Sequence, residues 1–137
     1  MKHLKPTFLL TVLPFMLCGC PAEDLSLFVL TQFANQSDDT LIVAVATNYP
    51  DSIYPYIDDS TFPYTNTILP YQTGNIEYPL SRKYAFDKYP VIQLFAFRLQ
   101  DYLSHTEEEL HNGHYELRRY ELTREWLEEH DWTVVCP

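Results

Sequence analysis

Glycine is nearly missing from this 137-residue chain: there are three, and only Gly74 and Gly113 lie beyond residue 20. A loop that cradles phosphate needs clustered glycines so that the backbone can approach the anion, so nucleotide binding of that kind is excluded. Basic residues are also few, nine against 19 acidic ones, for a formal charge of -10. A chain of that sign repels nucleic-acid backbones and anionic head groups, so no nucleic acid is expected as a partner. No apolar run reaches the roughly 20 residues that a membrane-spanning helix needs. There is no Gly-x-Ser-x-Gly to raise a nucleophilic serine, and the three cysteines are Cys18, Cys20 and Cys136.

The N-terminus is distinctive. Lys2, His3 and Lys5 precede an apolar stretch from Phe8 to Leu17, broken only by Thr11 and Pro14, which has the shape of a signal peptide. Leu17-Cys18-Gly19-Cys20 follows at once and resembles a lipobox, the cleavage and acylation signal of bacterial lipoproteins. That resemblance implies a signal peptide over 1–19 and a lipidated acidic tether over 20–24 with a fatty acyl chain of the palmitate type on Cys20, and the rest, 25–137, reads as a single globular β-rich domain. Without residues 1–19 the chain has 118 residues and a formal charge of about -12, a common size for one domain with a real core. Pro21-Ala22-Glu23-Asp24 resembles the export signal of lipoproteins in Bacteroides-type bacteria, which implies the outer membrane and its outward face.

With Cys18 removed and Cys20 acylated, Cys136 has no internal disulfide partner. It reads as a small apolar residue in a last strand; the alternative is an intermolecular bridge.

Two runs are apolar on both faces. Thr40 to Tyr49 puts Leu41, Val43 and Val45 on one side and Ile42, Ala44 and Ala46 on the other; Val91 to Leu99 behaves alike. Both read as strands covered on both sides and are expected in the middle of the sheets. Leu25 to Ala34 alternates loosely, with Leu27, Val29, Thr31 and Phe33 on one face. The turn residues Asn35 to Asp39 suggest that it forms a hairpin with the run after them. Thr106 with Glu109 makes a capping box for a short helix stopped at Asn112-Gly113. Tyr115 to Leu122 alternates as a strand, Thr123 caps a second short helix over Arg124–His130, and Trp132 to Cys136 closes the chain as a strand.

Residues 50–90 hold six of the ten prolines and tyrosines at 54, 56, 64, 71, 78, 84 and 89. Proline removes ladder donors, so regular structure there should be short and peripheral, while so many aromatics argue against disorder. An ordered arm or a pair of edge strands is expected, with Ile76-Glu77-Tyr78 the best short strand. Tyrosine offers an aromatic plane and a hydroxyl at low entropic cost. Tyr54, Tyr56 and Tyr64 are therefore candidate contacts for a glycan or protein, set against a role in which the rings only staple the arm to the sheet.

Other chemistry is thinner. His105, His111 and His114 lie near Glu107, Glu108 and Glu109, but a transition-metal site wants three or four converging ligands, and a solvated helix face is the simpler reading. Asp51, Asp58 and Asp59 lack the alternation and glycine of a calcium loop. No metal or cofactor is expected, no catalytic residue is assigned, and an enzyme, a small hydrolase at most, is the remotest reading. Asp51-Ser52-Ile53 resembles the O-glycosylation acceptor pattern of Bacteroides-type bacteria, which makes Ser52 a candidate modification site.

Arg119-Tyr120-Glu121-Leu122-Thr123, Leu127, Trp132-Thr133 and Pro137, with Phe33, Asn35, Ser37 to Thr40 and Tyr49-Pro50-Asp51, resemble a group of small lipoproteins of Bacteroides-type bacteria. The resemblance implies location and no mechanism. The fold expected is mainly β, a sandwich-like pair of sheets of about seven strands with two short C-terminal helices. The alternative is an α+β layout with helices packed on one face of one sheet. The function expected is a lipid-anchored envelope module that contacts a protein or glycan, or alternatively a structural or accessory subunit of an outer-membrane complex.

Overall fold

A computed structural model describes residues 27–55 and 64–137. Among them are seven strands and four short helices. The strands are β1 (Phe28–Asn35), β2 (Leu41–Ala46), β3 (Tyr64–Ile68), β4 (Thr73–Tyr78), β5 (Ile92–Arg98), β6 (Arg118–Leu122) and β7 (Thr133–Cys136). The helices are α1 (Arg82–Lys88), α2 (Leu99–Ser104), α3 (Glu107–Gly113) and α4 (Arg124–Glu129). The strands form two sheets, β4-β1-β7 and β3-β2-β5-β6, packed against each other as a mainly β sandwich. The expected signal peptide over 1–19, the candidate lipidation site Cys20 and the expected tether over 20–24 lie outside the described residues.

The two doubly apolar runs, β2 and β5, are the inner strands of the four-stranded sheet. Their antiparallel register sets Val43 beside Ala96 and Val45 beside Leu94 on the face toward the other sheet. There Leu30, Phe33, Ile76, Leu122, Leu127, Val134 and Cys136 complete the main core. The opposite face sets Ala44 beside Phe95 and Ile42 beside Phe97, and Tyr54 with Leu110 of α3 covers it. Ala44 and Ala46 are small, which leaves the volume that the Tyr54 ring takes up among Phe95 and Phe97.

Three local expectations are corrected. β1 and β2 are not a hairpin, because they belong to different sheets and the Asn35–Asp39 turn carries the chain from one layer to the other. The expected face of β1 breaks at a bulge between Val29 and Thr31, so Leu30 enters the core and Val29 stays exposed. The Arg82 Nε donates to the Leu30 carbonyl oxygen at 3.0 Å, which supplies that oxygen with a partner beside the bulge. Finally, α1 and α2 add to the two expected helices. Pro79 and Pro90 flank α1 rather than interrupt it, and α2 has no buried residue, hence no apolar stripe for a sequence to reveal.

The expected helix starts are present. Thr106 and Glu109 exchange both bonds of a capping box, and the Thr123 hydroxyl accepts from the Trp126 N–H at 3.2 Å. The proline-rich segment yields two edge strands, β3 and β4, one in each sheet. They meet along one side of the sandwich: Tyr64 packs edge-on to Tyr78 at 5.5 Å, and the Glu77 N–H donates to the Asn66 Oδ1 at 3.4 Å. Gly74 permits that approach, since a Cβ there would run into the Ile68 side chain. Tyr120 closes the other side, with its ring edge-on to Phe33 and its hydroxyl donating to the Val135 carbonyl at 3.3 Å.

Candidate contact surface

Of the tyrosines singled out from sequence, the two that are described, Tyr54 and Tyr64, lie on opposite faces of the four-stranded sheet. Tyr54 is 1% exposed, its ring edge-on to Phe95 at 5.4 Å and to Phe97 at 5.0 Å. It is a core residue on the outer face of the four-stranded sheet and offers no plane to a ligand. Burial, then the neighbouring Tyr102, pushes its phenol far above the ordinary tyrosine range. Tyr64 is half-buried and lies on the core-facing side of the same sheet, in register with Val45. Tyr56 lies outside the described residues. Where they are described, the rings act as staples.

A polar network holds the Tyr54 segment in place. Gln93, fully buried in β5, donates from Nε2 to the Asn48 Oδ1 at 3.1 Å and to the Asp51 carbonyl at 2.7 Å, and accepts from Arg119 at 2.7 Å. Asn48 in turn donates to the Ile53 carbonyl at 2.8 Å, and the His111 Nδ1 donates to the Tyr54 carbonyl at 2.7 Å. Ser52 stands exposed at the apex of this turn while the Asp51 carboxylate accepts from the Ile53 N–H at 3.1 Å. The turn therefore presents the Ser52 hydroxyl on a fixed backbone.

The histidines are held apart rather than brought together. His105 stacks on Tyr115 at 3.7 Å and donates to the Asp101 carbonyl, His111 is turned to Tyr54, and the His114 Nδ1 lies 3.8 Å from Glu116. No group of three potential metal ligands occurs among the described residues. Asp51 is described, whereas Asp58 and Asp59 lie outside the described residues. A recess of about 160 Å³ between α1 and α4 is lined by Phe86, Asp87, Pro90, Arg124 and Glu125, and its guanidinium is already bonded to Asp87 at 2.9 Å. Cys136 is a free thiol, fully buried in the core, where no second chain can reach it.

The residues that sequence reasoning missed lie at the end of the sandwich where β1 finishes. Asn35, 1% exposed, is the hub there. Its Nδ2 donates to the Asp39 carbonyl at 2.7 Å and to the Leu69 carbonyl at 3.2 Å, and its Oδ1 accepts from the Ser37 N–H and hydroxyl. The Asn35 N–H donates to the Gln72 carbonyl at 2.9 Å and the Tyr71 N–H to the Ser37 carbonyl at 3.3 Å. Two loops are thus locked together, and the locked pair holds Tyr71 at φ 56°, a left-handed conformation that is rare for a bulky residue. Tyr71 is 73% exposed and Leu69 54%. The Pro70-Tyr71 pair was visible in the sequence, but only the bonds across the two loops reveal that it is a rigid apolar tip.

The chain was compared with protein-family models, curated proteins and solved structures, and it matches none of them.

Proposed function

We propose that this chain is a lipid-anchored protein of the cell envelope, held by an acyl chain on Cys20 at the outward face of an outer membrane, that works by contact with a protein or glycan rather than by chemical conversion. The lipobox-like Leu17-Cys20 supports the anchor. The observation that carries the contact reading is the tip formed by Leu69, Pro70 and Tyr71, where a strained backbone holds an exposed ring that the fold does not use. Large aromatic side chains so placed are the residues on which binding energy concentrates.

Position supports the same reading. The described chain begins just before β1, and the tip lies beyond the other end of that eight-residue strand. At about 3.4 Å per residue the strand separates them by roughly 27 Å. A tether at Cys20 would join the domain at the end of β1 remote from Tyr71. The role of the candidate Tyr54 in this proposal is to shape the domain, and contact passes to Tyr71. Ser52 remains a candidate O-glycosylation site, tested by intact mass of the protein from its native host.

Binding to a glycan array and pull-down from envelope extracts test the contact reading. Tyr71→Ala and Leu69→Ala are expected to lose the signal while the fold persists; unchanged binding would refute it. Metabolic labelling with a fatty acid tests the anchor, and label that persists in Cys20→Ser would refute that part.

A further inference from the structure

The opposite end of the sandwich also exposes apolar side chains, and there three stand consecutively in the chain. Leu27 and Phe28 are each 45% exposed and Val29 is 38% exposed, three in a row where the chain enters β1. Phe28 pairs with Tyr78 and Val29 with Glu77, so their side chains leave opposite faces of the strand, and both are exposed because they lie at its open end, before the bulge at Leu30. Phe28 pairs with Tyr78, from which the chain runs through Pro79 and Leu80 into α1. The bond from Arg82 to the Leu30 carbonyl fixes α1 against the start of β1. On that helix Tyr84 is 64% exposed. Lys83 and Lys88 are the only lysines after residue 20, and their ammonium groups lie over the rings of Tyr84 and Tyr89 at 5.9 and 5.2 Å. Exposed aliphatic and phenyl groups beside tyrosines and long-stemmed lysines are the side chains that settle at a membrane–water interface.

We infer that this end of the domain, through Leu27, Phe28, Val29 and Tyr84, seats on the surface of the bilayer that holds the acyl chain. The inference rests on the lipid-anchor reading above and adds an orientation to it. Seven residue steps separate Cys20 from Leu27, and an extended chain of that length reaches about 25 Å at most. The tether thus keeps the patch near the lipid at high effective concentration, so a contact that gives the free protein only a small partition suffices. The contact is apolar, and Lys83 and Lys88 already lie over Tyr84 and Tyr89, so the occupant is a zwitterionic lipid surface, to which the overall acidity of the chain is no obstacle. Tyr71 then points outward, so the two exposed ends face different media.

The test uses the mature acylated protein in phosphatidylcholine vesicles that carry bromine on their acyl chains near the head group. Tryptophan is placed singly by Phe28→Trp, Tyr84→Trp and Tyr71→Trp, each read against the parent protein. Quenching at positions 28 and 84 is expected to exceed that at position 71 several-fold. Equal quenching at all three positions, or more at 71, would overturn the seat. In parallel, the mature chain carrying Cys20→Ser is floated with phosphatidylcholine vesicles. Its partition should fall roughly tenfold when Phe28 and Tyr84 are both replaced by serine, the scale expected for two half-exposed rings. Partition that ignores those changes, or that grows as phosphatidylglycerol is added, would also overturn it, the latter in favour of a basic lipid site. A probe at position 28 shielded from solvent in native cells but not quenched by lipid would assign the patch to a protein neighbour instead. Absence of acyl mass on Cys20 is a separate outcome that sinks the anchor reading itself.

Discussion

The two sheets are built on different rules. In the four-stranded sheet every residue of β2 is buried, as are six of the seven in β5, because the second sheet covers one face and Tyr54 with α3 covers the other. In the three-stranded sheet β1, β4 and β7 alternate, with Gln32, Asn75 and Glu77 turned outward and Phe33, Ile76 and Val134 turned inward. A sheet covered twice needs apolar side chains everywhere and polar ones only with partners; a sheet covered once needs them at every second place. Gln93 shows the first requirement, since both its amide nitrogen and its amide oxygen are bonded, to Asn48, Asp51 and Arg119.

Substitutions on the two sheets should differ accordingly. Phe95→Ala removes a fully buried ring from the outer face of the four-stranded sheet and is expected to cost about 3–5 kcal/mol, read by chemical denaturation. A loss below about 1 kcal/mol would mean that this face is not a true second core. Gln93→Ala orphans the groups it holds and should cost about 1–3 kcal/mol, with faster proteolysis in 47–55 as the local sign.

Alkaline pH probes the sides where the sheets meet. Burial, then the neighbouring Tyr89 and Tyr64, pushes the Tyr78 phenol up to about 12 from 10.0, and burial with the Cys136 contact raises Tyr120 further. The folded state holds these protons more tightly than the unfolded chain, so stability is unaffected below pH of about 10 and falls as pH rises above it. Tyr78→Phe should blunt that fall, measured as tyrosinate absorbance against circular dichroism; an unchanged alkaline midpoint would show that Tyr78 is not clamped. The smallest effect belongs to the solvated face, where Val135→Thr on β7 is expected within about 0.5 kcal/mol of the parent. A larger loss would reveal a hidden cover on the three-stranded sheet.

Legibility followed the same division. Apolar patterns at 40–49 and 91–99 announced β2 and β5 because burial on both faces leaves no polar position to confuse the reading. Caps at Thr106 and Thr123 announced α3 and α4 because capping chemistry is local. The Asn35–Asp39 turn was legible as a turn, yet whether the chain returned to the same sheet or crossed to the other depended on which strands competed for pairing. β1 took β4 and β7, which lie 38 and 98 residues further along the chain from Asn35. The burial of Tyr54 was hidden for a related reason: a tyrosine in a loop has the same letter whether its ring is exposed like Tyr71 or packed under the chain like Tyr54.

By itself, then, the sequence determined the class of fold, the doubly covered strands, the capped helices and the acidic character, since periodicity, capping and charge act over a few residues. Tertiary structure alone decided the partners of β1, the burial of Tyr54 and the exposure of Tyr71 and of the Leu27–Val29 edge. Those outcomes come from bonds and packing between segments far apart in the chain, where Asn35, Gln93 and Arg82 find partners that no local pattern names.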